Sequence, residues 1–252
     1  MKIQTTIISF LLIAGITASS AQNAYNSYFK ASGGFTDAQG KGSLHTLLNS
    51  TEDLQTASGG LDLKLDSSFI FSLEGGFYSA ENFSFGFEYT AVNADAEASK
   101  ALAGGTGDIG RIKTGLGLTA IDGGFFVGKN SFEEKIDSDR FMFVMNYEYA
   151  FNNEITLLVN GGLGIMNVEQ KIKYTADNGT VVTTLIDSSE DKTVFAYQIG
   201  IGLGYTFNDA YTLYGGARYL AASDIDFKYE GLDLKKYNPD VLAYELGLRY
   251  SF

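Results

Sequence analysis

The chain has 252 residues, 18 basic against 30 acidic for a net charge of -12, with 30 Gly, one Pro and neither Cys nor Trp. No thiol nucleophile, disulfide framework or zinc–thiolate site can be built from it. A solitary His45 excludes multi-histidine metal centres, and the acidic balance excludes nucleic acid, which needs clustered Lys and Arg.

With 45% hydrophobic and 14% aromatic residues, the composition is that of a packed chain rather than a disordered one. Glycine-rich and proline-poor, it points to β-structure, and its length fits a single all-β unit.

Met1-Lys2 gives a short positive start, Ile7 to Ile16 an apolar stretch, and Thr17 to Ala21 a small-residue tract. Ser19 and Ala21 fall where a signal peptidase needs small side chains, so residues 1–21 are expected to be a secretory signal and residues 22–252 the mature domain. The apolar stretch falls short of the roughly 20 residues that a spanning helix needs. No cysteine follows it to carry a lipid anchor.

Beyond the leader the apolar residues recur every second position. The copies run Phe29, Ala31, Gly33, Phe35; then Phe69, Phe71, Leu73, Gly75, Phe77; then Phe83, Phe85, Phe87, Tyr89. They continue as Phe141, Phe143, Met145, Tyr147, Tyr149 and as Ile155, Leu157, Val159, Gly161, Leu163, Ile165. The longest is Phe195, Tyr197, Ile199, Ile201, Leu203, Tyr205, Phe207. Tyr211, Leu213, Gly215, Ala217, Tyr219 and a final Leu242, Tyr244, Leu246, Leu248, Tyr250, Phe252 complete the set.

These segments predict eight strands of roughly ten residues, long enough to cross a bilayer at a tilt near 45°. A soluble sandwich alternates too, but it hides its greasy face. Here that face carries aromatics at the strand ends, as the interfacial girdles of membrane barrels do. The opposite face is small or charged: Lys30, Glu74, Glu88, Glu148, Arg218, Glu245 and Arg249 all fall on it, and in a barrel they share the lumen as a charge network. Short turns at Ser79 to Asn82, Asn152 to Glu154 and Asn208 to Ala210 alternate with four long acidic connections. That is the asymmetry between periplasmic turns and extracellular loops.

The expected fold is therefore an all-β, eight-stranded antiparallel up-and-down transmembrane barrel with long extracellular loops. A ten-strand alternative stays open, because Ile112 to Leu118 and Phe125 to Val127 could supply one more pair. Asn178-Gly179 between two β-rich runs predicts a hairpin that carries strands five and six beyond the membrane. Glu230-Gly231 predicts a similar extension above strands seven and eight.

Other motifs have plainer readings. The Gly200, Gly202, Gly204 and Gly161, Gly162, Gly164 clusters lack the following helix of a nucleotide fingerprint, and are read as small residues in a narrow lumen. His45, with Ser43 and Thr46 nearby, has no positioned third group, so no hydrolase triad is expected. The pairs Glu52-Asp53, Glu133-Glu134 and Glu190-Asp191 lack calcium-loop spacing and are read as solvated loop carboxylates. Neither cofactor nor metal is expected.

Residues Asp139 to Phe227 resemble strands four to seven of the small outer-membrane β-barrels related to the opacity proteins and to OmpA-like transmembrane domains. The likeness is carried by FMFVMNYEYAFNNEITLLVNGGLGIMNV, by KTVFAYQIGIGLGYTFNDAYTLYGGARYL and by Arg218-Tyr219 after a strand. The terminal LAYELGLRYSF is similar to the signal that the outer-membrane assembly machinery reads, with Tyr244, Leu246, Leu248, Tyr250 and Phe252 at alternate positions.

The resemblance implies a non-catalytic structural or surface-exposed protein in the outer membrane of a Gram-negative-type bacterium. Its expected partners are outer-membrane lipid and lipopolysaccharide, the assembly machinery, and a surface or host partner through the loops. The alternatives are a small porin or conduit for an apolar molecule, and an adhesin or immune-variable surface antigen. Deleting Phe252, or replacing Phe252 and Tyr250 by Ser, should leave export intact and lower the amount inserted, as read by fractionating the envelope. Unchanged outer-membrane levels would dismiss the terminal signal.

Overall fold

The computed structural model describes residues 27–37, 68–80, 82–102, 128–152, 154–177, 182–208, 210–226, 228–229, 232–233 and 239–252. The strands are β1 (Ser27–Asp37), β2 (Ser68–Ala80), β3 (Phe83–Leu102), β4 (Gly128–Ala150), β5 (Ile155–Asp177), β6 (Val182–Asn208), β7 (Tyr211–Ala222), β8 (Lys228–Tyr229), β9 (Leu232–Asp233) and β10 (Val241–Ser251). Eight of them close an antiparallel barrel in the order β1-β10-β7-β6-β5-β4-β3-β2. The closing ladder runs from Tyr28 opposite Ser251 to Asp37 opposite Leu242. Ser27 and Phe252 exchange both backbone hydrogen bonds, at 3.0 and 2.8 Å.

Barrel closure settles the strand count at eight. β3 pairs with β4 without interruption from Phe83 opposite Tyr147 to Leu102 opposite Gly128, leaving no place in the ring for a further pair between them. The segments 112–118 and 125–127 lie outside the described residues, as do His45 and Glu52-Asp53.

Polarity is inverted relative to a soluble protein. Along β6 the outward residues Phe195, Ile199, Ile201, Leu203 and Phe207 are each more than half exposed, whereas Gln198, Gly200 and Gly204 between them are buried. At about 3.3 Å per residue, Phe195 to Phe207 covers about 40 Å of strand, or about 28 Å along a barrel axis tilted by 45°. That matches the apolar band of about 25 Å typical of an outer-membrane barrel.

Both edges of the band are marked. Tyr89, Phe141, Ile165 and Phe195 form one cross-strand row, and the next row is Ala91, Asp139, Asn167 and Thr193. The greasy surface therefore stops within one residue pair across four strands. Tyr89 straddles the line, its hydroxyl donating to Asp139 at 2.6 Å, as an aromatic with a polar tip does at an interface. At the short-turn end the rings of Phe83 and Tyr147, Tyr149 and Phe151, Phe207 and Tyr211, and Tyr211 and Tyr250 pack with centroids 4.9–5.9 Å apart.

β3 to β6 are 20, 23, 23 and 27 residues long, far more than a crossing requires. Their ends stand beyond the apolar band as a four-stranded sheet, so part of the β3–β4 connection, one of the four long acidic connections expected from the sequence, is strand over 94–102 and 128–137. Cross-strand pairing with the extended β5 supplies the backbone partners that the local sequence does not advertise. Glu133-Glu134 and Glu190-Asp191 are thus strand residues rather than loop carboxylates, and Glu134 is buried, with Gln170 donating to it. On the outward face Lys171 and Ser189 hydrogen-bond to Glu169 and hold its carboxyl below the usual range. β8 and β9 pair with each other as a separate two-stranded sheet instead of continuing β7 and β10, and Glu230-Gly231 between them lies outside the described residues.

Among the described residues no helix is long and apolar enough to cross a membrane. With every barrel strand paired on both sides across the apolar band, the folded barrel should resist SDS and unfold only on heating. Samples run before and after boiling should show different apparent sizes. Identical mobility together with a helical circular dichroism spectrum would be incompatible with this fold.

Candidate functional site: the charged lumen

The inward positions are set by register. Lys30 stands opposite both Arg249 and Glu74, Glu74 opposite Glu88, and Ala243 opposite Arg218, so the charged residues of five strands converge on a single stretch of lumen. An eight-stranded barrel is only wide enough for side chains to fill it. Its charges must therefore contact each other.

Arg218, 5% exposed, is the centre. It donates to Glu88 through one terminal nitrogen and to Glu245 through the other, and also to Ser72 Oγ at 2.7 Å and Gln198 Oε1 at 3.3 Å. Lys30 forms an ion pair with Glu74 and lies 3.9 Å from Glu88. Nearer the short turns, Arg249 grips Glu148 with two parallel bonds of 2.5 and 2.9 Å, the strongest geometry available to a guanidinium and a carboxylate. These contacts join Lys30, Glu74, Glu88, Arg218 and Glu245 in the interior, while Glu148 and Arg249 form a pair of their own.

Neutral residues complete it. Tyr28 donates to Glu74 at 2.5 Å, and Asn146 donates to Glu74 at 2.8 Å and to the Tyr28 hydroxyl at 2.9 Å. Thr90 and Gln198 donate to Glu88, and Ser32 to Glu245. These partners share the inward register with the charges, Tyr28 two residues before Lys30 and Asn146 two before Glu148. That spacing is the signal that would have found them in the sequence.

Tyr28 has a place because Gly76 and Gly86 face each other across β2 and β3. A Cβ on either would lie 2.5 or 2.7 Å from the Tyr28 hydroxyl. The sequence reading of the inner face as small and polar thus missed a set of large phenols, Tyr28, Tyr78 and Tyr214, that line it.

Towards the long-loop end the polar layer gives way to an apolar one. Two residues beyond Ser72, Arg218 and Glu245 stand Ile70, Leu220 and Ala243, which with Val92 form a fully buried cluster against Val241. Below it a cavity of about 40 Å³ remains, lined among others by Lys30, Glu74, Asn160, Tyr214, Glu245 and Arg249. The volume is enough for a few waters only.

The other predicted set, Tyr244, Leu246, Leu248 and Tyr250 on β10 with Phe252 just beyond it, faces outward, each more than two-fifths exposed. Tyr250 lies 5.6 Å from Phe252 and 4.9 Å from Tyr211, ring centre to ring centre, within the aromatic girdle.

A closed eight-stranded barrel has counterparts among known proteins. The sequence matches the model of the outer membrane protein beta-barrel domain over residues 8–252. The chain belongs to that family. Solved structures similar to it include neisserial surface protein A, at 13% identity and a TM-score of 0.44, covering 92% of this chain and all of that one. A major outer membrane protein of Thermus thermophilus (11%, TM-score 0.45) and the attachment invasion locus protein Ail of Yersinia pestis (11%, TM-score 0.41) each match over 90% of this chain and 99% of their own. The outer membrane enzyme PagL is a further likeness, at 14% identity and a TM-score of 0.31. No functionally curated protein matches the sequence. Family membership rests on the match along the sequence, since likenesses this distant carry no functional weight.

In this family member, removing a lumen cation leaves its carboxylates without their counter-charge in a poorly hydrated interior. Arg218→Ala leaves Glu88 and Glu245 without their shared guanidinium and should cost about 3–5 kcal/mol. Arg249→Ala should cost less, about 1–3 kcal/mol, because the Glu148 pair is more exposed, with side chains 11% and 13% accessible. Thermal or urea unfolding in detergent measures both. Wild-type stability in Arg218→Ala would show that the network holds nothing together.

Proposed function

We propose that this protein is a non-catalytic structural and surface-displayed barrel of the outer membrane, in which the lumen charges act as a fixed plug rather than as a pore. One observation carries the reading: the Arg218 layer is flanked on its long-loop side by the buried Ile70, Val92, Leu220 and Ala243 cluster. An ion entering from that side would have to shed its hydration in an apolar layer and then displace paired charges. The small-porin and apolar-conduit alternatives both need a continuous path, and they lose ground for this reason.

Membership of an outer-membrane family supports the location. The short turns and both ends of the described chain then lie on the periplasmic side, and the projecting ends of β3 to β6 on the outside. Export by the leader at residues 1–21, contact with lipid and lipopolysaccharide along the aromatic girdles, and delivery by the assembly machinery through the terminal Tyr244 to Phe252 segment belong to the same proposal.

Among the described residues no three acidic or histidine side chains are grouped to hold a metal. Among the described residues the inward charged side chains are engaged with one another and with neighbouring hydroxyl and amide groups, the pattern of a structural network.

The test is conductance. Purified protein in planar bilayers should show no large, steady single-channel current. Replacing Leu220 and Ile70 together by Gly should raise it by thinning the apolar layer. Stable large currents from the wild type would replace this reading with the porin alternative.

A further inference from the structure

The outer half of β3 is a strand made of poor strand formers. Its inner half, Phe83 to Val92, carries Phe83, Phe85, Phe87, Tyr89, Thr90 and Val92, the aromatic and β-branched types that fit a pleated sheet. From Asn93 to Leu102 it reads NADAEASKAL, with four alanines and no aromatic or β-branched residue. Ala, Leu, Lys and Glu are the best helix formers, and all but Leu are depleted in strands. The sheet beside it keeps its strand formers outside the apolar band, with Ile136 on β4 and Val168, Ile172 and Thr175 on β5.

Pairing does little to compensate. The β2–β3 ladder ends at Ile70 opposite Val92, and beyond it Ser68 and Phe69 pair with Thr36 and Phe35 of β1. Among the described residues, Asn93 to Leu102 therefore pairs with β4 alone, whereas the outer part of β5 is paired with β4 and β6 on both sides. Within the β3–β4 ladder Asp95 stands opposite Lys135, but Glu97 stands opposite Glu133. Like charges directly opposite each other weaken a strand pair. A segment held on one side only, by residues of low strand preference, opens at less cost than the sheet around it.

Register identifies the bonds that hold it. Glu148 N–H donates to the Asn82 carbonyl at 2.9 Å, and the β3–β4 register is unbroken from Phe83 to Leu102. Because backbone groups alternate sides along a strand, the even-numbered amides of β3 bond to β4, and the odd-numbered amides of β4 bond to β5. Ala94, Ala96, Ala98 and Lys100 thus fasten the segment, and their release bares the edge of β4 from Gly128 to Ile136.

We propose that residues 93–102 are a displaceable strand, and that their seat on β4 takes in an extended segment of another protein. That segment has β-branched residues at alternate positions, a base opposite Glu133 and an acid opposite Lys135. It replaces a like-charge pair by an ion pair and brings the strand preference that β3 lacks, while its main chain makes the same ladder. A second copy of this chain offers the same residues as β3 itself and gains nothing by the exchange. The seat lies beyond the apolar band and is independent of whether the lumen conducts.

Hydrogen exchange of the folded full-length barrel in detergent micelles, read amide by amide by NMR, measures how firmly the segment is held. The amides of Ala94, Ala96 and Ala98 should exchange about 100-fold faster than those of Glu133, Lys135 and Asp137, which bond to β5 at the same height. Replacing Glu97 by Lys together with Ala94, Ala96 and Ala98 by Val should slow the first set and leave the second unchanged, each variant being checked for folding by its gel shift on boiling. Equal protection of the two sets in the wild type would overturn the proposal.

The seat is probed with a fluorescent synthetic peptide of residues 93–102 bearing the same four substitutions. It should bind the wild-type barrel, free the β3 amides of Ala94, Ala96 and Ala98 and protect those of Glu134 and Ile136 on β4. The barrel whose own β3 carries the substitutions should not bind it, and the unaltered 93–102 peptide should not bind the wild type. Failure of the altered peptide to bind, binding that leaves the β3 amides unchanged, or equal binding of the unaltered peptide would each overturn the proposal.

Discussion

A strand in hydrocarbon has no solvent to satisfy its amides, and the ladder between β1 and β10 is what removes the last two free edges of this sheet. Everything else about the molecule follows from that closure. Eight strands closed on themselves leave a lumen too narrow for bulk water, so the inward residues become a solvent-poor core while the outward ones meet lipid. The reciprocal hydrogen bonds between Ser27 and Phe252 put the last residue of the chain into the same ring. The terminus is both the seam of the barrel and part of its aromatic girdle.

Closure also explains why a protein with so greasy an exterior carries its charges inside. A narrow cylinder of alternating residues has one lipid face and one hidden face, and the hidden face alone can carry polar groups that pair with each other. Arg218 satisfies residues of β2, β3, β6 and β10 at once, which ties opposite walls together. The apolar cluster above it and the glycine pair Gly76 and Gly86 below it are spatial complements of that network: one excludes water, the other makes room for Tyr28. A lumen arranged in this way supports the walls.

Most of the strand plan could be read from the sequence because a period of two is visible without knowing any contact. Phe195 to Phe207 and Leu242 to Phe252 declare their outer faces residue by residue, and the charged lumen positions follow as the other parity. The lengths of β3 and β4 could not be read that way. Beyond Ala91 and Asp139 the outward residues turn polar, the greasy outward face that marks the other strands stops, and pairing along β3, β4 and β5 keeps the chain extended. Glu134 shows the consequence: an apparently solvated loop acid is buried beside Gln170 from the next strand.

The sequence by itself determined the fold class, the strand number that best fitted the copies, and the parity of the seven charges expected on the inner face. Those properties depend on local alternation and on the length needed to cross a bilayer. Tertiary structure alone decided which charges meet. The partners of Arg218 come from residues as far apart in the chain as Ser72 and Glu245, and their contact depends on strand register and on the curvature of a closed ring. Neither is encoded in any one segment, because register is a property of pairs of strands and closure is a property of all eight.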